Sequence, residues 1–135
     1  MRQLRRQLVS QAYIRSLVSN QPVGNDDVIV HQVQQRIDSH LGEPLRVAEL
    51  AAVFGLSERT LSRRFAAATR RGPRAYLRYA RIQHAKRLLE TAGDPIDQVR
   101  RRAGYDDPAA FRRVFKQATG LSPSGYRDAY GLRAD

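Results

Sequence analysis

SERTLSRRFAAATRRGPRAYL, residues 57–77, and DPAAFRRVFKQATGLSPSGYR, residues 107–127, are one pattern written twice. Leu61, Phe65, Thr69, Pro73 and Tyr76 return as Phe111, Phe115, Thr119, Pro123 and Tyr126, each fifty positions later. A fixed internal period marks a repeated structural unit, and here it decides the architecture. Among the apolar positions each copy carries paired arginines, Arg63-Arg64 and Arg112-Arg113. Two helical units with cations on their free faces suit contact with a polyanion at two places along its length.

Upstream of Ser57, Val47, Leu50, Ala51 and Phe54 recur at i, i+3, i+4 and i+7, one face of a short helix. Pro44 precedes it and Glu49 lies near its positive end. Gly55-Leu56 turns the chain, and Ser57 caps a second helix that buries Leu61, Phe65 and Ala68. Helix, glycine-containing turn, helix is a helix-turn-helix. The second copy opens at Asp94-Pro95, a cap with proline at the first helical position, followed by Asp97. Its inner face is Ile96, Val99, position 100 and Ala103, and its turn is Gly104-Tyr105-Asp106. Asp107-Pro108 caps a helix that buries Phe111, Phe115 and Ala118. The offset between copies is forty-nine at Gly55/Gly104 and fifty beyond. The second turn thus holds one inserted residue, and the two tips should not superimpose.

A long helix from about Arg74 to Ala92, ended by Gly93, joins the copies. At ~1.5 Å per residue it spans nearly ~30 Å. Its apolar side is Tyr76, Ala80, Ala85, Leu88 and Leu89. Asp26 or Asp27 caps an earlier helix with Val30, Val33, Ile37 and Leu41 inward, stopped by Gly42. Residues 2–18 are a candidate amphipathic helix through Leu4, Leu8, Ile14 and Leu17, and residues 21–25 read as a linker. The expected fold is all-α: two homeodomain-like helix-turn-helix subdomains and a linker helix, about seven helices plus the N-terminal candidate. The boundaries are 1–25 for the N-terminal segment, 26–73 and 93–130 for the subdomains, 74–92 for the linker helix and 131–135 for a tail.

The net charge is +11 and the pI ≈ 11.1, and all but Lys86 and Lys116 of the 24 basic residues are arginine. That excess calls for an acidic partner, nucleic acid or a membrane surface, and arginine suits bidentate contacts to phosphate or guanine. Hydrophobic residues make up 41%, enough for a packed interior in 135 residues. The absence of cysteine removes disulfides, thiolate metal sites and a cysteine nucleophile. No window approaches a membrane span and no leader is legible after Arg5-Arg6, so the reading is of a soluble, cytoplasmic chain. His31, His40 and His84 lie on different segments without a ligand-spaced partner, and the carboxylate pairs sit where helices start. No catalytic set, metal site or cofactor loop stands out, and no enzymatic role is expected.

On the helix after Ser57, Arg59, Ser62, Arg63 and Ala66 face away from Leu61 and Phe65; in the second copy Ala109, Arg112, Arg113 and Lys116 do. For one basic pair alone a solvated surface helix is the simpler reading. Repetition on equivalent helices, with this net charge, favours DNA: a major groove about 12 Å wide admits one α-helix, and arginine forks onto guanine. The flanking Arg64, Arg70, Arg71, Arg74 and Lys116 suit phosphates, which set register but not sequence. The positive helix starts at Ser57, Thr60 and Asp107 favour phosphate too. Arg101 and Arg102, on a first helix, read equally as solvated or phosphate-facing.

These residues resemble the C-terminal DNA-binding region of the AraC/XylS family of bacterial transcription regulators, over about residues 29–130. The resemblance rests on Leu50-Ala51-x3-Gly55-x-Ser57-x3-Leu61-x-Arg63-x-Phe65 and on Arg81-Ile82-x2-Ala85-x2-Leu88-Leu89. Its most specific stretch is Gly104-Tyr105-x5-Phe111-x-Arg113-x-Phe115-Lys116-x3-Gly120-x-Ser122-Pro123-x2-Tyr126-Arg127. The run Gly104-Tyr105-Asp106-Asp107-Pro108 also resembles the subgroup whose sensor is a DJ-1/PfpI-like domain. The resemblance implies seven helices in two helix-turn-helix subdomains, with both recognition helices in successive major grooves. Carried over by position, the base-facing residues are Arg59, Ser62 and Arg63, then Ala109, Arg112 and Arg113. Family members usually carry a separate sensor domain. The resemblance further implies either the C-terminal part of a longer chain with a sensor domain upstream, the favoured reading, or a free-standing short member. Two residues depart from the family pattern. Arg70 stands where glycine is usual, so that helix would end differently. Arg100 stands where a small residue usually packs, so it would snorkel outward or loosen the second unit.

The expected function is sequence-specific recognition of double-stranded DNA by a transcription regulator, with RNA polymerase as a further candidate partner and no membrane partner. Both readers lie in one chain, so a monomer would span two half-sites about 34–36 Å apart and, unlike a two-fold dimer, prefer an asymmetric site. The alternatives are a non-specific DNA-compacting protein, and an interaction module for an acidic protein partner that uses residues 2–18.

Overall fold

The computed structural model describes residues 27–132. The N-terminal candidate helix, the linker before Asp27 and the last three residues lie outside them. The described residues form seven helices: α1 (Val28–Ser39), α2 (Val47–Val53), α3 (Glu58–Thr69), α4 (Pro73–Thr91), α5 (Ile96–Arg102), α6 (Pro108–Thr119) and α7 (Pro123–Tyr130). There is no strand among the described residues, and the all-α expectation holds. The fold has two compact units: residues 27–36 with Arg46–Ala75, and Ile37–Leu45 with residues 76–132. This division is not contiguous, unlike the sequence-based boundaries.

In the first unit Val30, Val33, Val47, Leu50, Ala51, Leu61 and Phe65 are buried, as the helical periods require. Asp27 caps α1 by accepting from the Ile29 and Val30 amides at 3.1 and 3.2 Å. Phe54 ends α2 and is only half-buried. The Ser57 hydroxyl accepts from the Thr60 amide at 3.1 Å and so caps α3.

In the second unit Ile82, Ala85, Leu88, Leu89, Val99, Ala103, Phe111, Phe115 and Tyr126 form one core. Phe115 meets the edge of Tyr126 at 5.4 Å between centroids and stacks obliquely on Phe111 at 5.8 Å, geometries that favour aromatic pairs. The Tyr126 hydroxyl donates to Glu90 at 2.6 Å, and Arg127 donates to the Leu89 carbonyl of α4 and to the Ala92 carbonyl just beyond it. Burial, and then the Glu90 carboxylate, push the Tyr126 phenol well above its usual range.

Residues 37–45 join this unit through close backbone packing. An added Cβ on Gly104, at φ +90°, would lie 2.2 Å from the Leu41 carbonyl oxygen, and one on Gly42 3.3 Å from that of Arg102. Arg81 donates to the Glu43 carbonyl at 3.1 Å and lies 5.8 Å from the Tyr105 ring centroid. Burial pushes the Arg81 guanidinium below its ordinary pKa, against the opposing pull of Tyr105 and Asp106.

The repeat extends to individual atoms. Thr69 Oγ1 accepts from the Arg71 amide and has the Phe65 and Arg71 carbonyls as acceptors within reach of its one proton; Thr119 Oγ1 does the same with Leu121 and Phe115. Arg70 (φ 66°) and Gly120 (φ 83°) both end their helices in the left-handed region. Each of their amides donates to a carbonyl four residues back at 2.8 Å.

Several local expectations need correcting. Asp94 does not cap α5: Pro95 is the N-cap, and Asp94 instead accepts from Arg102 at 2.7 Å. Ala118 is exposed, because the core face of α6 is complete at Phe111 and Phe115. On α4, Leu77 is buried where Tyr76 is only half-buried; the Tyr76 hydroxyl turns to Asp38 at 3.1 Å. Arg70 does not make its helix end differently, since it adopts the conformation that Gly120 adopts. Arg100 neither snorkels nor loosens its unit: its side chain is 9% exposed and is held by hydrogen bonds.

Candidate nucleic-acid interface

The outward side chains follow from the burial of their neighbours. Leu61 and Phe65 fix the rotation of α3, which leaves Arg59 and Arg63 exposed and Ser62 half-exposed. Phe111 and Phe115 fix α6, which leaves Ala109, Arg112, Arg113 and Lys116 exposed. Each expected base-facing set is therefore gathered on one helix surface within its own unit. Arg112 also lines a cleft of about 250 Å³ with Ile96, Asp97, Arg100, Pro108 and Phe111.

The two helix starts are capped differently. In the first unit Ser57 donates to the Thr60 hydroxyl at 2.9 Å while its oxygen caps the helix. Glu58 stands in the first turn and pairs with Arg74 at 3.4 Å, although Arg74 stays 82% exposed. In the second unit the Asp107 carboxylate accepts from the Ala109 amide at 3.2 Å. Both carboxylates reduce the positive field at their helix starts.

Of the expected phosphate-facing cations, Arg70, Arg71 and Lys116 are exposed. Arg64 is half-buried. Its Nε and Nη2 donate to Asp27 at 2.8 Å each, a bidentate pair that holds the guanidinium at the base of α1. Burial alone would push the Asp27 carboxyl up. The Arg64 guanidinium and the Val30 and Ile29 amides outweigh it and hold the group below the usual carboxylate range. The same contact raises the Arg64 pKa. Sequence reasoning missed this pairing, whose partners stand 37 positions apart. The one legible signal is Asp27 at a helix start, where capping by itself accounts for a carboxylate.

Arg101 and Arg102 are exposed and ion-paired, to Asp97 at 3.3 Å and Asp94 at 2.7 Å. His84 is half-buried; burial and then the positive fields of Arg87 and Arg102 lower its pKa, which favours neutral imidazole. Among the described residues no group of three or more His, Cys, Asp or Glu could hold a metal ion. Nor is any described helix long and apolar enough to cross a membrane.

Comparison with known proteins fits this geometry. Residues 50–129 match a protein family described as a helix-turn-helix domain. An uncharacterised helix-turn-helix-type transcriptional regulator of Staphylococcus aureus is 37% identical over 113 residues, which is 84% of this chain and 15% of that protein. The MmsAB operon regulatory protein of Pseudomonas aeruginosa is 30% identical over 124 residues, 89% of this chain and 40% of that protein. The chain thus spans well under half the length of these relatives. Among solved structures, the C-terminal domain of AraT, a response regulator from Geobacillus stearothermophilus, superimposes with a TM-score of 0.77 at 28% identity. That match covers 81% of this chain and 93% of that one. The DNA-binding domain of AdpA, a global transcriptional factor solved in complex with a target DNA, gives a TM-score of 0.72 at 39% identity. It covers 75% of this chain and 91% of that one.

Proposed function

We propose, since the chain belongs to the AraC-type family of helix-turn-helix transcription regulators, that it is the sequence-reading, DNA-binding region of such a regulator. The observation that carries the reading is the pair of helices α3 and α6, each oriented by two buried side chains and each presenting arginines from one exposed face. Arg59, Ser62 and Arg63 read bases in one major-groove box; Ala109, Arg112 and Arg113 read a second. Arg70, Arg71, Arg74 and Lys116 take phosphates, helped by the helix starts at Ser57, Thr60 and Asp107.

The physical support is chemical and geometric. An α-helix fits the major groove, and an arginine fork matches guanine O6 and N7, each such pair being worth ~1–3 kcal/mol of discrimination. The net charge of +11 supplies the long-range attraction that brings the chain to the duplex. The target-DNA complex of the AdpA domain supports the same use of this fold. The cytoplasm is where such a protein works. Contact with RNA polymerase and a sensor domain in a longer chain complete the proposal, and the greater length of the relatives supports the second.

Equilibrium binding to a selected duplex and to random duplexes of equal length, at one fixed salt concentration, tests the reading. A specific reader discriminates by ~10³-fold or more. Equal affinity for every duplex would instead identify a non-specific compacting protein.

A further inference from the structure

We propose that Arg100 is a positioning residue for α6, and that it compensates the residue inserted in the second turn. The turns of the two units begin alike. The Gly55 and Leu56 amides donate to the Ala52 and Ala51 carbonyls at 3.0 and 2.9 Å; the Gly104 and Tyr105 amides donate to Arg101 and Arg100 at 3.0 and 3.1 Å. They then diverge. Ser57 caps α3 directly after Leu56, whereas Asp106 intervenes between Tyr105 and the cap Asp107. The longer turn presents two carbonyls, those of Tyr105 and Asp106, towards the interior. Arg100 Nη1 donates to both at 2.7 Å.

The position beneath the first turn is occupied by Ala51, which is 1% exposed and has no side-chain donor. In the second unit the guanidinium fills that place, and its charge is met by Asp97, which accepts from Nε at 2.9 Å and lies 2.8 Å from Nη2. A buried cation is tolerated only when paired and fully hydrogen-bonded, and a buried carbonyl needs a donor. Arg100 and the inserted residue satisfy each other. The substitution and the insertion are therefore one coupled feature, not two independent departures.

The consequence for recognition follows from where the guanidinium sits. It grips the two residues immediately before the N-cap of α6 and lines the same cleft as Phe111 and Arg112. It therefore sets the entry of the helix that presents Arg112 and Arg113. A planar fork with three engaged nitrogens fixes direction as well as distance, which a lysine ammonium cannot reproduce. The effect on base preference rests on the proposed groove role of α6; the coupling to the turn does not.

A four-protein cycle tests the coupling: the parent, Arg100→Ala, deletion of Asp106, and both changes together, compared by thermal unfolding. Each single change is expected to lower the melting temperature, and the double variant to melt above the deletion alone. Losses that simply add would overturn the coupling. Should Arg100→Ala fail to fold, Arg100→Lys with and without the deletion completes the same cycle. Positioning is read with folded Arg100→Lys, well below its melting temperature. The expected results are shifted amide resonances at Ala109, Ala110 and Phe111 and a roughly tenfold loss of preference at the α6 box, a displaced fork being worth about one bidentate base contact. Preference at the α3 box should stay unchanged. Parent-like resonances and preference at the α6 box would overturn the positioning role. A parent that discriminates no duplex would instead remove the groove reading, with the melting cycle still deciding the coupling.

Discussion

Arg64 closes on Asp27 with two hydrogen bonds of 2.8 Å, tying α3 to the cap of α1. The Asp27 side chain is 2% exposed and that of Arg64 33% exposed. This carboxylate meets one guanidinium and two backbone amides at once, the arrangement in which a charge-assisted pair is strong.

Arg64→Ala is expected to destabilise the fold by about 2–3 kcal/mol. That lies below the about 3–5 kcal/mol typical of breaking a buried pair, because Arg64 keeps a third of its exposure. Urea unfolding measures it. The salt dependence of DNA binding should not change, whereas loss of a phosphate contact flattens the slope by about one unit per contact. A flattened slope would return Arg64 to the DNA.

The Asp27 carboxyl is held below its ordinary value, so its contribution is fully present above the unfolded pKa of about 3.9 and is lost as pH falls through the folded value. Acid should therefore weaken the parent more steeply below about pH 4 than it weakens Asp27→Asn, which has no proton to take up there. Unfolding free energies collected from pH 6 downward would show parallel curves if the pair contributed nothing.

Arg70 sits at φ 66° where its repeat partner is Gly120. A left-handed residue with a Cβ costs ~1–2 kcal/mol, so Arg70→Gly should raise stability by about 1 kcal/mol. It should also weaken binding to all duplexes alike if the guanidinium reaches phosphate. Thermal unfolding and a salt titration on the same sample separate the two effects.

Gly55 and Gly104 hold equivalent turns at φ 71° and 90°, but only one is crowded. A Cβ on Gly55 meets nothing within 4 Å; one on Gly104 would lie 2.2 Å from the Leu41 carbonyl oxygen and 2.8 Å from Arg81 Nε. Gly55→Ala should cost ~1 kcal/mol from the backbone alone. Gly104→Ala should exceed ~3 kcal/mol, because rigid backbone has to move. Denaturation midpoints of the two variants falling together would refute the close approach.

The repeat made the doubled units, their turns and the rotation of α3 and α6 legible, because Leu61/Phe65 and Phe111/Phe115 recur at helical spacing as the largest apolar side chains of their helices. What escaped were the pairings between distant positions. Arg64 looked like a surface cation since nothing local betrays Asp27, and Tyr76 looked apolar since its hydroxyl partner Asp38 lies 38 residues back. Arg100 was misjudged for a different reason. Position predicts burial, but only the turn's two inward-facing carbonyls explain why a buried arginine is stable there. The docking of residues 37–45 beside Gly104 has no periodic signature; it depends on a backbone approach that a glycine alone permits.

The most direct test of the central claim selects duplexes from a random library with the parent, Arg63→Ala and Arg112→Ala. The account predicts two boxes, with Arg63→Ala relaxing only one and Arg112→Ala only the other, each by ~1–3 kcal/mol at the affected base. Both variants selecting the parent's sequences unchanged would contradict it.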